Sequence, residues 1–356
     1  MKTEDDRFKL KVGGRLNFGY THGFLDSTAD YSSFDILRAK LFFGGNVFSP
    51  DVQFYVQTAS ASNSRPAVYY TPSEATDGRF TLEDFYVRLT HDHWNVKLGQ
   101  FKVPFARQWM IYSGNLQFTD RSLPTKYFLL GRDRGVLIGH DRDFFSASAG
   151  VFNGAGPQGL NAIPQPNVSN DSSSGRGHLY VGRVSIRPFG EMNYSEGDVE
   201  NSEGQRLEWG ASMGFDHDRD VDVNGDTLVD DPKAEAYHAA TDLTWKVSGF
   251  SASGEGFYRS IRSNVTGNIN AYGFYGQTGY MILPSTLELA GRFAWLDLST
   301  ANANDVTKET SAVMNLYMFS DHRYKIQTQY TWRSTQLATG TTRNDHFADL
   351  MFQLTI

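Results

Sequence analysis

The sequence predicts an all-β chain folded as a single 16-stranded antiparallel transmembrane β-barrel. Three observations lead there. Apolar and polar residues alternate through segments of about ten residues, the length a tilted membrane-crossing strand requires. The connections between segments alternate between short and long, as in barrels with tight turns at one end and extended loops at the other. A chain with 14% aromatic residues and 34 glycines is only 40% hydrophobic, with a net charge of −7; such a composition suits strands with one apolar and one polar face. Nowhere do about eighteen apolar residues run together, so a membrane-spanning helix is excluded. There is no cysteine, which removes disulfides, thiolate nucleophiles and cysteine-ligated zinc.

The first segment shows the alternation most clearly. In RFKLKVGGRLNFGY, residues Phe8, Leu10, Val12, Leu16, Phe18 and Tyr20 share one parity, and Arg7, Lys9, Lys11, Arg15 and Asn17 the other. FDILRAKLFFGGNV then places Leu37, Ala39, Leu41, Phe43 and Val47 opposite Arg38, Lys40 and Asn46. After an FSPD turn, VQFYVQT sets Val52, Phe54 and Val56 against Gln53, Tyr55 and Gln57. LEDFYVRL sets Phe85, Val87 and Leu89 against Asp84, Tyr86 and Arg88, and the parity rule puts Glu83 and Asp84 on opposite faces. THDH leads into WNVKLGQF, a long segment runs to about Arg134, and GVLIGH, a DRD turn and FFSASAGVFNG follow. Further strand candidates are LYVGRVSIR, RLEWGASMGFD, YHAATDLTWK, FSASGEGFYR, YGFYGQTGYMI, TLELAGRFAW, SAVMNLYMF, RYKIQTQYTW and FADLMFQLTI. The short connections are FSPD, THDH, DRD, KVSG, LPS and SDH; the stretch Pro188 to Gln205 is long for its place in that series.

In hydrocarbon every backbone donor and acceptor must be paired internally, so an extended chain spans a bilayer only as a closed sheet. Lipid meets the apolar parity and water fills the interior facing the other. Phe18, Tyr20, Trp94, Tyr237, Trp245, Trp295 and Trp332 lie near strand ends, where interfacial aromatic girdles form. A soluble sandwich or propeller would have shorter strands without the long and short alternation.

KVGGRL, FDILRAKLFFGGNV, LEDFYVRL, VKLGQFKVPF, TDRS, GRDRGVLIG, GVFNGAG and the Arg183 of VGRVSIRP together resemble the phosphate-selective porin O and P family. The resemblance runs over essentially the whole chain and is densest from Lys11 to Pro188. It implies a trimeric outer-membrane porin of a Gram-negative bacterium whose third long loop folds inward to narrow the pore, with anions drawn along basic side chains. Residues 1–356 then form one barrel domain, with a constriction loop at 102–134 and an acidic extracellular loop at 217–235.

The third long loop carries Lys102, Arg107, Arg121, Lys126, Arg132 and Arg134 against Asp120 and Asp133. Strand positions on the polar parity add Lys9, Lys11, Arg15, Arg38, Lys40, Arg88, Lys97, Arg183, Arg187, Arg259, Arg292 and Lys325. Basic rings in a narrow aqueous passage favour anions, because low-dielectric walls focus their field. The expected pore-lining and anion-binding set is therefore Arg15, Arg38, Lys40, Arg88, Lys97, Lys102, Arg107, Arg121, Lys126, Arg132, Arg134, Arg183 and Arg292. Asp84, Glu208, Asp242, Glu255, Glu288 and Asp349 share the polar parity, and the bland alternative for each cation is a structural pairing that braces the wall. The family's dedicated phosphate site depends on lysines in the fifth long loop, whereas HDRDVDVNGDTLVDDPKAE holds seven acids and only Arg219 and Lys233 as cations. The expectation is a passive pore for small hydrophilic solutes, anion-preferring rather than dedicated to phosphate. The alternative is a plugged barrel serving as an adhesin or partner-binding scaffold.

The same acidic loop sets Asp220, Asp222, Asn224, Asp226 and Asp231 at positions 1, 3, 5, 7 and 12 of an EF-hand-like loop, with Gly225 at position 6. Hard oxygen donors at this spacing suit a Ca²⁺ ion, although Asp231 is shorter than the usual glutamate. No other cofactor is expected. The nine histidines are scattered, with no HExxH, GxSxG or P-loop pattern, so no catalytic centre is expected. Partners are expected to be outer-membrane lipid, small solutes and copies of the same chain, not nucleic acid. MKTEDDRF is acidic and polar, unlike a secretory leader, which leaves a cytoplasmic chain or a mature form with an added start methionine.

Overall fold

The computed structural model describes residues 3, 6–26, 29–62, 79–154, 177–220, 233–263, 267–300, 305–337 and 339–356. Among these, sixteen strands form one closed antiparallel barrel. They are β1 (Lys9–Phe24), β2 (Tyr31–Asn46), β3 (Val52–Ser62), β4 (Thr81–His91), β5 (Trp94–Lys102), β6 (Arg132–Arg142), β7 (Phe145–Phe152) and β8 (Leu179–Ile186), then β9 (Arg206–Asp220), β10 (Lys233–Val247), β11 (Phe250–Ser263), β12 (Gly267–Leu283), β13 (Leu287–Asp297), β14 (Val306–Tyr317), β15 (Tyr324–Gln336) and β16 (Thr342–Thr355). Each pairs with its chain neighbours, and β1 closes on β16 from Arg15 opposite Thr355 to Phe24 opposite His346. The ring leaves no free edge, as hydrocarbon demands.

The alternation sorts the side chains by solvent. Leu16, Leu41, Val87, Leu98, Leu289 and Leu354 stand exposed on the outside, while Arg15, Asn17, Lys40, Glu208, Asp242 and Gln327 are buried within. Aromatic pairs mark the short-turn end, where exposed Phe8 meets Phe48, exposed Trp245 meets half-buried Phe250, and half-buried Tyr324 meets Phe352. The tight turns between β4 and β5, and between β10 and β11, hold Asp92 and Ser248 at φ 50° and 48°. Positive φ at such turns lets the backbone twist match the right-handed twist of the strands.

Two bulges change what parity predicts. Between Ile36 and Arg38 the pairing of β2 with β1 slips by one residue. Phe34 and Ile36 therefore face outward before the slip, Leu41 and Phe43 after it, and Leu37 leaves the lipid face to pack over Gly19. A second slip between β3 and β4 passes Asp84 opposite Gln57 but Leu82 opposite Thr58. Glu83 and Asp84 are consequently both buried inside the barrel, not on opposite faces. An inserted residue resets the two-residue period, and a local hydrophobic pattern does not reveal that.

Candidate functional site

The lumen is occupied by residues 103–131, which join β5 to β6 and hold two short helices, α1 (Arg107–Met110) and α2 (Leu123–Phe128). Their formation is partly local: Ser122 caps α2 by accepting the Thr125 amide at 3.3 Å, and Pro124 sits in its first turn. The start of α1 is capped across the barrel, where the Glu255 carboxylate of β11 accepts the backbone N–H groups of Arg107 and Gln108 at 2.8 and 2.6 Å. These are unsatisfied donors that a helix start always presents.

Packing then fixes the loop to the wall. Phe105, Trp109, Phe118 and Phe128 are at most 1% exposed, and Phe128 stacks on Phe257 of β11 at 5.3 Å. Gln117 is the polar clamp. Its side chain donates to Glu288 at 2.6 Å, its carbonyl accepts from Asn315 and Gln327 at 2.8 and 2.9 Å, and its amide donates to Glu196 at 2.7 Å. Gly279 is needed opposite it, because a Cβ there would lie 2.2 Å from Gln117 Nε2.

Most lumen cations serve as braces. Arg107 faces Glu208 and Asp242 at 3.7 and 3.9 Å. Burial opposes its charge, but Glu208, Tyr194 and Asp242 outweigh that and raise its pKa. Arg183 makes a two-pronged contact to Asp242 at 2.7 and 3.0 Å. Lys40 pairs with Glu83 at 2.7 Å, and Arg132 with Glu83 and Asp84 at 3.3 and 3.2 Å. Arg38 and Lys126 share Asp120, Arg292 reaches Glu309, and Arg15 donates to Ser113 while stacking on Tyr112. Lys102 and Arg121 donate to loop carbonyls and lie over Trp109.

Between this loop and the β2–β8 wall lies a cavity of about 380 Å³, lined by Lys40, Arg88, Lys97, Lys102, Arg132 and Arg183 with Tyr55, Tyr86, Phe101, Tyr112 and Tyr194; Asp84 and Asp141 are the lining acids. Arg88 and Lys97 stand directly opposite one another on β4 and β5. Lys97 lies over the Tyr86 and Phe101 rings at 4.6 and 4.9 Å.

Residues 8–356 match the family described as phosphate-selective porin O and P. The chain belongs to that family. No curated protein matches it. Among solved structures, it is similar to the anion-selective porin from Comamonas acidovorans, with TM-score 0.65, 10% identity, and 98% of this chain and 100% of that one covered. Pseudomonas putida OprB gives TM-score 0.63 at 10% identity, covering 99% and 95%. The trimer form of Vibrio cholerae OmpT gives 0.57 at 10%, covering 98% and 100%. This porin is a passive diffusion channel of the Gram-negative outer membrane.

Of the thirteen side chains expected to line the pore, six meet around one cavity in this porin. Arg134 does not: it is exposed on the face shared with Val136 and Ile138, outside the lumen. From Arg134 on, β6 alternates strictly, with Leu137 and Gly139 inside and Arg134, Val136 and Ile138 outside, whereas Arg132 at the strand's start stays within. The calcium candidates Asp222, Asn224, Asp226 and Asp231, and the side chain of Asp220, lie outside the described residues. Sequence reasoning missed Gln117, Glu83 and the 188–205 segment. The only signal available was the unusual length of that last connection.

Proposed function

We propose that the porin prefers small anions among the hydrophilic solutes it passes, and that Arg88 and Lys97 carry the preference. Like charges directly opposed across a sheet repel, so the fold holds these two cations together at a cost that a passing anion relieves. Among the described residues neither makes an ion pair with a carboxylate, in contrast to Arg107, Arg132 and Arg183. The Comamonas acidovorans porin of the same fold is anion-selective, which supports the same preference. With an acid-rich fifth long loop, general anion selectivity suits the chain better than a dedicated phosphate site. The channel reading includes no catalytic cycle and no required cofactor, and the OmpT trimer supports assembly as a homotrimer.

Reversal potentials across a KCl gradient test this. The wild-type pore should favour chloride, and Arg88→Ser with Lys97→Ser should lower the chloride-to-potassium permeability ratio. A wild-type pore favouring potassium would overturn the reading, and a plugged scaffold would be silent. A calcium site in the 217–235 loop is a separate proposal resting on the sequence pattern. Millimolar Ca²⁺ should protect that loop from protease, and Asp222→Ala should abolish the protection.

A further inference from the structure

At the short-turn end, five of the connections between strands are two to five residues long and the β14–β15 turn is six, but residues 187–205 join β8 to β9. From Pro188 to Gln205 this segment holds Glu191, Glu196, Asp198, Glu200 and Glu203, with no Lys or Arg. It folds into the barrel. Met192, Glu196, Asp198 and Val199 are at most 7% exposed, and Val199 packs on Met281 and Tyr317. Its anchors reach both the wall and the lumen loop. Asp198 accepts the Gly249 amide at 2.8 Å. Glu196 accepts the Gln117 amide and Gln108 Nε2, both at 2.7 Å, and donates its own amide to the Asn115 carbonyl at 2.9 Å.

Two cavities border this segment. One is the cationic cavity of about 380 Å³; the other, of about 370 Å³, is lined by Asp198, Glu200, Lys246 and Asp321 among others. Tyr112 and Tyr194 line both. Each ring is backed by a guanidinium: Arg15 lies 4.3 Å from the Tyr112 centroid and Arg107 lies 5.0 Å from that of Tyr194.

We propose that residues 188–205 form a second constriction of the pore, on the periplasmic side, with Tyr112 and Tyr194 framing its aperture. The side follows from the short turns, which face the periplasm in outer-membrane barrels. The inference rests on the chain being a pore, and it assigns the limiting aperture to the meeting of residues 188–205 with Tyr112 of the loop joining β5 and β6. A solute leaving the cationic cavity passes between two phenol rings and then meets an acidic segment. The segment therefore restricts solute size and opposes anions, the reverse of the cavity's charge preference.

Single-channel recording on the full chain tests it with three variants. Tyr194→Ala should raise conductance and the size limit for uncharged sugars while leaving the Glu196 anchors in place. Replacing residues 190–203 with Asn-Gly should raise conductance severalfold. The ends are already close, since Arg206 donates to the Phe189 carbonyl at 2.9 Å. Glu191→Gln, Glu200→Gln and Glu203→Gln together should raise the chloride-to-potassium ratio, these three side chains being exposed. A Tyr194→Ala channel with wild-type conductance and size limit overturns the proposal, whether or not the shortened barrel folds. So does a folded shortened barrel with unchanged conductance. A wild type that is silent while the shortened variant conducts supports it, and would separately overturn the anion-passing reading of the intact pore.

Discussion

At the residue scale, the lumen works by matching individual acids and cations over long sequence distances. Lys40 and Arg132 sit on either side of Glu83 because a single bulge turns that carboxylate inward. The same economy of space appears at Gly279, where the wall leaves room for the Gln117 side chain of the lumen loop. Gly279→Ala should force Gln117 away from Glu288 and overpack the contact, costing about 1–3 kcal/mol. Urea titration of the folded barrel on semi-native gels measures this; an unchanged midpoint would show that the loop yields freely there.

At the scale of the element, each strand presents a lipid face and a water face, and a charge is tolerated on only one of them. Leu289 is 48% exposed on the outside of β13, so Leu289→Arg near the bilayer midplane should destabilise the barrel by about 2–4 kcal/mol. Asn95 of β5 lines the cationic cavity on the inner face, and Asn95→Asp, a charge placed beside Lys97 and Arg88, should fold with near wild-type stability. Equal losses in the two variants would contradict the inside–outside assignment. The loop joining β5 and β6 obeys a different rule. It buries an apolar face of Phe105, Trp109, Phe118 and Phe128 inside a barrel whose lumen parity reads as polar, so part of the inner wall, including Ala294, Leu296 and Val313, is apolar to receive it.

At the scale of the whole molecule, net charge and selectivity part company. The chain carries −7 overall, yet six cations gather around the cavity. Exposed charges are screened beyond about 8–10 Å at physiological salt, whereas charges in a narrow low-dielectric passage are screened less. Anion preference should therefore strengthen as KCl is diluted. Reversal potentials at successive dilutions check this, and a preference that weakens or inverts would assign selectivity to the outer acids.

Sequence alone determined the closed barrel, the sixteen two-faced strands, the end with short turns and the parity of the lipid face. All of these follow from rules that act within a few residues: a period of two, turn chemistry, and the need to pair every backbone group in hydrocarbon. Tertiary structure decided which cations remain available to a solute. Arg107 is committed to Glu208 and Asp242, and its helix start to Glu255 148 residues away, while Arg88 and Lys97 face each other in the cavity. No local pattern distinguishes those two outcomes, because an arginine on the polar parity reads the same whether or not an acid arrives from across the barrel. The two bulges and the inward course of residues 188–205 belong to the same class, set by what the opposite wall offers to pack against.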